Sequence, residues 1–168
     1  MHAFSESAIR GSFVNASLRE RKTLHLPAPI DEIEWDRLDY LGWRDRKAPL
    51  AAYVVVELDD EPVGVLLRAT DKGGRRKKAV CQWCADIVVT DDVTLYVARR
   101  GGASGKAGNT IGTLICTDFR CSQNVRRPPT RSEVGDDAEA MRELIVERRI
   151  AELRERSARF VEEVRSTR

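Results

Sequence analysis

The sequence predicts an α+β fold, and three observations carry that prediction. Dense runs of β-branched residues surround short turn segments in the first two thirds of the chain. A proline-free C-terminal stretch repeats its apolar residues at helical spacing. Four cysteines form two close pairs in the middle of the chain, where basic loops separate the strand signals.

The elements follow in chain order. In "FSESAIRGSFVNASLRE", residues 4–20, Phe4, Ile9, Phe13, Val14 and Leu18 stand at spacings compatible with a helix. Pro27 and Pro29 end that segment, because proline lacks an amide donor and restricts the residue before it. A new element begins at "IDEIEWDRLDYLGW", with Ile33, Trp35 and Leu38 available for burial. Residues 50–70 read as a β-hairpin: Tyr53 to Val56 form one strand, "LDDEP" is the turn, and Val63 to Leu67 return. Strand signals resume at Ile87–Val89 and Val93–Ala98, joined by "TDD". After the glycine-rich loop "RRGGASGKAGN", "TIGTLIC" is a further short strand. Beyond Pro128 and Pro129, residues 133–165 contain no proline and one glycine, Gly135. There Val146, Ile150, Leu153, Ser157, Phe160 and Val164 repeat at 4-3-4-3-4, the seam of one long amphipathic helix. The helix is expected to pack on its own domain, with a dimerising coiled coil as the alternative. Residues 1–130 therefore read as one domain with an N-terminal extension, and 131–168 as its C-terminal helix.

Composition narrows the function classes. The chain has 168 residues, 42% of them hydrophobic and 33% charged, enough for one domain with a heavily solvated surface. No apolar run approaches the ~20 residues that a bilayer span requires. "MHAFSESAIR" lacks the apolar core of a secretory signal, so a reducing cytoplasm is expected and disulfides are not. The net charge of +2 conceals an uneven distribution. Residues 1–67 hold 8 basic and 12 acidic side chains, residues 68–131 hold 13 and 5, and residues 132–168 hold 8 and 10. The cationic middle third also contains all four cysteines. Such a region attracts nucleic acid or an acidic protein face, although a solvated loop surface is the plainer reading.

Cys81 and Cys84 form a C-x2-C, and Cys116 and Cys121 form a C-x4-C. Thiolates two residues apart on a tight turn can face one ion, and tetrahedral zinc takes four such ligands. The strands between the pairs fold the chain back and place the second pair beside the first. "SQNVRR" after Cys121 suits a short helical turn. Knuckle, hairpin, then a ligand pair entering a helix is the layout of a treble-clef zinc finger. The competing readings are four buried cysteines acting as small hydrophobes, or a redox C-x2-C, which usually opens a helix after a strand. Zinc accounts for both pairs at once. Four cysteines close the coordination sphere and leave no position for an activated water, so the ion is expected to be structural. His2 and His25 are remote in sequence, and Ser104 in "GGASGKAGN" matches neither a hydrolase elbow nor a phosphate loop.

Function is then expected in the loops around the zinc: "DKGGRRKK", "RRGGASGKAGN" and "DFRCSQNVRRPP". Their basic residues, among them Arg75, Arg76, Lys77, Lys78, Lys106, Arg126 and Arg127, are expected to share one positive face. Trp83, between the knuckle cysteines, either projects as an interface anchor or caps the zinc core; Phe119 poses the same choice, with burial favoured.

"CQWCADIV", a basic hairpin, and then "GTLICTDFRCSQNVR" resemble the C-terminal treble-clef domain of the elongation factor G-binding proteins, the family that includes the fusidic-acid resistance proteins. The pattern C-x2-C, then C-x-D-x-x-C-S-x-N-V-R, is specific across residues 80–127. The resemblance implies one zinc ion on Cys81, Cys84, Cys116 and Cys121. It further implies a non-catalytic protein that binds elongation factor G, on or off the ribosome, and promotes its release. Trp83, Arg75, Arg76, Lys77, Lys78, Lys106, Arg126 and Arg127 are the expected partner contacts by position and chemistry. Too few residues precede position 50 for the helical bundle of the resistance proteins, so the chain looks like a stand-alone version of their C-terminal domain. An RNA- or DNA-binding zinc finger using the same loops is the alternative. No small-molecule substrate and no membrane partner is expected.

Overall fold

The β-branched run between residues 50 and 70 forms a long hairpin, β2 (Ala51–Leu58) and β3 (Glu61–Ala69). The computed structural model describes residues 1–70, 79–85, 92–134 and 138–166. At the hairpin turn Asp59 and Asp60 have φ of 52° and 64°. A two-residue turn needs both central residues in this left-handed region to match the strand twist, and aspartate tolerates it. With β1 (Leu41–Arg44), β4 (Val93–Arg99) and β5 (Thr110–Cys116), the hairpin belongs to one antiparallel meander in the order β1-β2-β3-β4-β5. The strand signal at Ile87–Val89 lies outside the described residues.

Ala52 to Val56 are all buried, because β2 is covered on both faces. Successive side chains point to opposite sides of a strand, so the run divides between two cores. Ala52, Val54 and Val56 join Val65, Leu67, Tyr96 and Ile115 under the long helix α6 (Ala138–Arg165). Tyr53 and Val55 join Ile9, Phe13, Leu24, Leu41 and Trp43 on the other face. There Trp43 stacks on Tyr53 at 5.0 Å between ring centroids, and Phe13 meets both edge-on.

The N-terminal segment departs from the single helix that its spacing suggests. It forms α1 (Glu6–Gly11) and α2 (Leu18–Thr23), each started by a serine cap. Ser5 Oγ accepts from the Ala8 amide, and Ser17 and Glu20 form a reciprocal capping box. Between the helices Phe13 makes a parallel bridge to Gly64 of β3. The Val14 amide donates to Gly64 O at 2.9 Å, and the Gly64 amide donates to Ser12 O at 3.1 Å. Glycine is required there, since a Cβ on Gly64 would sit 2.6 Å from Ser12 Oγ. Ile33, Trp35 and Leu38 are half-buried against the same core, beside the single 3-10 turns Ile30–Glu32 and Trp35–Arg37.

The glycine-rich loop between β4 and β5 contains a short helix, α3 (Gly102–Lys106). It can tighten because Gly105 has no side chain; a Cβ there would lie 1.7 Å from Arg100 O. The loop is tied to the end of α6 by the Gly101 amide, which donates to Val164 O at 2.7 Å. After β5 come α4 (Cys121–Val125) and α5 (Arg131–Val134). α6 packs on its own domain: Leu153, Ser157, Phe160 and Val164 of the seam are buried, together with Val161. Val146 and Ile150 are half-buried. Among the described residues no helix is long and apolar enough to cross a membrane.

Candidate metal centre

The first cysteine pair sits on a turn over Gln82–Cys84. The Ala85 amide donates to Cys81 O at 2.9 Å, and Ala85 takes φ 52°, which turns the chain back after the second sulfur. In the second pair Cys116 ends β5 and Cys121 opens α4. The intervening Phe119, at φ 58°, donates its amide to Cys116 O at 2.9 Å and drives its ring into the core against Tyr96. Strand, tight turn and helix start thus fix the two sulfurs of each pair on rigid backbone. Knuckle, β4–β5 hairpin and helix follow in the treble-clef order.

Cys81 Sγ lies 3.6 Å from Cys121 Sγ, and Cys84 Sγ lies 3.7 Å from Cys116 Sγ. All four sulfurs are within 4.8 Å of one another, and all four residues are buried. A zinc–sulfur bond of ~2.3 Å gives a tetrahedron with edges of about 3.8 Å, whereas a disulfide would need ~2.05 Å. These spacings fit four sulfurs around one cation and are too long for a disulfide. Amides supply further support: Cys84 N–H reaches Cys81 Sγ at 3.5 Å, and Asn124 Nδ2 reaches Cys116 Sγ at 3.4 Å and Cys84 Sγ at 3.8 Å. Hydrogen bonds from Cys116 and Cys121 hold the Cys81 thiol far below its ordinary range, while Cys116, Cys81 and burial push Cys121 far above it. Four thiolates in one buried cage repel one another, and a dication supplies the charge that holds all four ionised. Burial, then the Cys121 sulfur, keeps the Tyr40 phenol well above its usual value, so it acts as a neutral donor to Phe119 O at 3.3 Å. The donor set is that of one structural zinc, with no protein-free coordination position.

A buried carboxylate with two arginine partners ties the centre to the rest of the fold. The Asp39 carboxylate, with no exposed side-chain surface, receives both Arg126, which caps the end of α4, and Arg154 of α6, the latter at 3.0 Å from Nε. The Asp39 amide and Ser122 Oγ are 3.0 Å apart. Asn124 belongs to the cysteine motif, whereas Asp39 lies far from it in sequence. Asp39 sits in no pattern, but Asn124 had a signal, since three residues beyond Cys121 is one helical turn.

The expected contact residues are distributed differently from the single basic face. Trp83 caps the core and is no surface anchor: it is 2% exposed, donates its indole N–H to Thr113 Oγ1 at 3.1 Å, and packs on Tyr40 and Phe160. Phe119 is buried as favoured. Arg126 is occupied by Asp39 and by Ser122 O at 2.8 Å, so it serves the interior. Lys106 is exposed but lies at the hairpin tip. The β4–β5 register pairs Val93 with Cys116 at the zinc end and Arg99 with Thr110 at the tip, which puts that loop about 20 Å away at ~3.3 Å per residue. The tip loop therefore does not converge on the zinc. Arg127 is exposed near α4. Arg75, Arg76, Lys77 and Lys78 lie outside the described residues. Neither histidine joins the sulfurs: His25 is exposed beside Asp45, and His2 lies with Glu57 and Asp60 on the surface.

A family model described as the FBP C-terminal treble-clef zinc-finger matches residues 8–164. No curated protein and no solved structure matches the chain. The matched span takes in the N-terminal layer, the five strands and α6, and not the cysteine motif alone. A sulfur cage closed by knuckle, hairpin and helix, within a match over nearly the whole chain, makes this protein a member of the FBP C-terminal treble-clef zinc-finger family, built on one structural zinc site at Cys81, Cys84, Cys116 and Cys121.

Proposed function

We propose that the protein is a non-catalytic binding module of the translation machinery that engages elongation factor G and promotes its release or recycling in the cytoplasm. The observation that carries the non-catalytic part is the closed, buried four-sulfur centre, which organises a surface and offers no site for a reacting water. The partner is taken from the resemblance of the cysteine motif to the elongation factor G-binding proteins. The ion pairs near the zinc favour a protein partner over nucleic acid. Arg126 and Arg154 are joined to Asp39, Arg149 to Glu133 and Arg127 O, and Arg156 to Glu152 and Trp83 O. Phosphate binding would require arginines free to exchange counterions for phosphates, and these four are already engaged.

The test is co-elution of the nuclease-treated protein with purified bacterial elongation factor G at low and moderate salt. A complex that survives moderate salt supports the reading. No complex, together with retention on RNA that falls steeply with salt, transfers the function to nucleic acid.

A further inference from the structure

The two faces of the sheet are unequally covered. The N-terminal layer stops at β3, where Asn15 is wedged between strands: its amide donates to Leu66 O and Arg99 O, and its oxygen accepts from the Leu66 amide. Beyond Asn15 the same face of β4 and β5 carries no layer among the described residues. Leu95 is 41% exposed, and Val97 and Leu114 are half-buried beside it.

The outer edge of β5 is also open. Thr117 N–H donates to Asp92 O, so with the register of β4 and β5 the odd-numbered residues of β5 pair inward. The amides and carbonyls of Thr110, Gly112 and Leu114 therefore point away from the sheet. At Leu114 this edge is occupied by Gln82, which donates its amide to Leu114 O at 2.8 Å and accepts the Leu114 amide on Oε1 at 2.9 Å. Gln82 thus imitates one residue of a sixth strand. At Gly112 and Thr110 the outward groups have no partner among the described residues.

Charge indicates what would continue that strand. Arg99 and Arg68 stand on the bare face, both exposed, and among the described residues neither guanidinium has a hydrogen bond or ion pair. They border a cleft of about 370 Å³ that extends from Asn15 and Glu20 to Val97 and Thr110. Glu20, across the cleft, has its carboxyl lowered first by its hydrogen bonds to Ser17 and then by the fields of Arg99 and Arg68. Gly112 presents no side chain, so a strand laid along β5 reaches Val97 and Arg99 across it.

We propose that the open edge of β5 at Thr110 and Gly112, with the bare face of β4 behind it, accepts an extended acidic peptide segment as a sixth strand. Its main chain pairs with Thr110 and Gly112 in the register begun by Gln82; an apolar side chain opposite Gly112 covers Val97, and a carboxylate two residues along, on the same face, meets Arg99 in the field of Arg68. A nucleic acid lacks the alternating amides and carbonyls that this edge requires. A second copy of the chain would offer β5 itself, Thr110–Cys116, which carries no carboxylate for Arg99. The inference holds whichever protein supplies the segment, so it stands apart from the elongation factor reading.

The experiment uses the zinc-loaded full chain, labelled with nitrogen-15, and the peptide acetyl-Thr-Glu-Thr-Val-Thr-Glu-Thr-amide, whose Glu and Val share one face of a strand. The expected result is slowed amide exchange at Gly112 and Thr110 on peptide addition, with no effect from the same peptide carrying Lys in place of each Glu. Gly112→Pro deletes one outward donor at an edge position that tolerates proline, and should abolish the protection. Arg99→Glu, which leaves the edge intact, should lower peptide affinity about tenfold. Unchanged exchange at both amides up to millimolar peptide overturns the proposal. So does equal binding to wild type and Arg99→Glu, or displacement of the peptide by the oligonucleotide (dT)8 with larger shifts at the same residues.

Discussion

Asn124 Nδ2 stands 3.4 Å from Cys116 Sγ and 3.8 Å from Cys84 Sγ, so one amide side chain touches a sulfur from each cysteine pair. Such outer donors orient ligands and disperse thiolate charge. Asn124→Ala should lower zinc affinity by about tenfold or more, read by competition with a chromophoric chelator. Unchanged affinity would reduce Asn124 to a packing residue of α4.

Zinc removal should be visible at Trp83, whose ring lies between Tyr40 and Phe160 beside the sulfurs. With Trp35 and Trp43 replaced by phenylalanine, chelation or Cys121→Ser should shift the remaining emission to the red as the indole meets water. Emission that stays blue after complete metal removal would mean the core persists without the ion.

Asp39 joins α4 and α6 through two arginines. Asp39→Asn leaves both guanidiniums without a counter-charge and should cost about 2 kcal/mol in denaturant unfolding. Arg154→Ala should cost less than ~1 kcal/mol, because that side chain is 57% exposed and water screens its pairing. Equal costs would show that Arg154 carries the whole effect and that the pairing with Arg126 contributes nothing.

Gly42 on β1 admits the Phe119 ring. A Cβ there would lie 2.7 Å from Phe119 Cδ1 and 2.7 Å from Tyr40 Cε2. Gly42→Ala should therefore destabilise the fold by about 1–3 kcal/mol and weaken zinc retention, since Phe119 bends the chain between two ligands. A variant as stable as wild type with full zinc would show that the loop can move aside.

The Glu133 carboxyl is lowered from 4.5 to about 2, chiefly by its hydrogen bonds to the Thr130 amide and hydroxyl and also by Arg149. A depressed carboxyl contributes stability above its unfolded value and loses it as pH falls through the folded one. The stability difference between wild type and Glu133→Gln should therefore be constant above pH 4.5 and disappear on acidification towards pH 2. A difference that persists at the acid end would assign it to lost packing.

Local patterns made much of this molecule legible in the sequence. The β2–β3 hairpin, β4 and β5 announce themselves by β-branched density, and the four ligands by spacing. The seam of α6 is visible because its buried side, Leu153 to Val164, keeps a helical period. What escaped depends on partners distant in sequence. Phe13 leaves the helical pattern for Gly64, fifty-one residues on, and β1 is a four-residue strand, interrupted by a glycine, whose pairing comes from β2. Trp83 could be placed only once Phe160 was opposite it. The basic hairpin tip looked close to the zinc because β4 and β5 flank it in sequence, yet their register carries it to the far end of the sheet.

The meander has a consequence for how the chain acquires its structure. Every strand pairs with its neighbour in sequence, so the sheet can assemble by successive closures, the longest across the 23 residues between β3 and β4. The helix that seals Tyr96, Leu67 and Val54 follows all five strands. During synthesis the sheet and its zinc ligands emerge first, with one apolar face uncovered until Leu153 to Val164 are released. The wait for α6 is the interval in which the nascent protein is most exposed to aggregation.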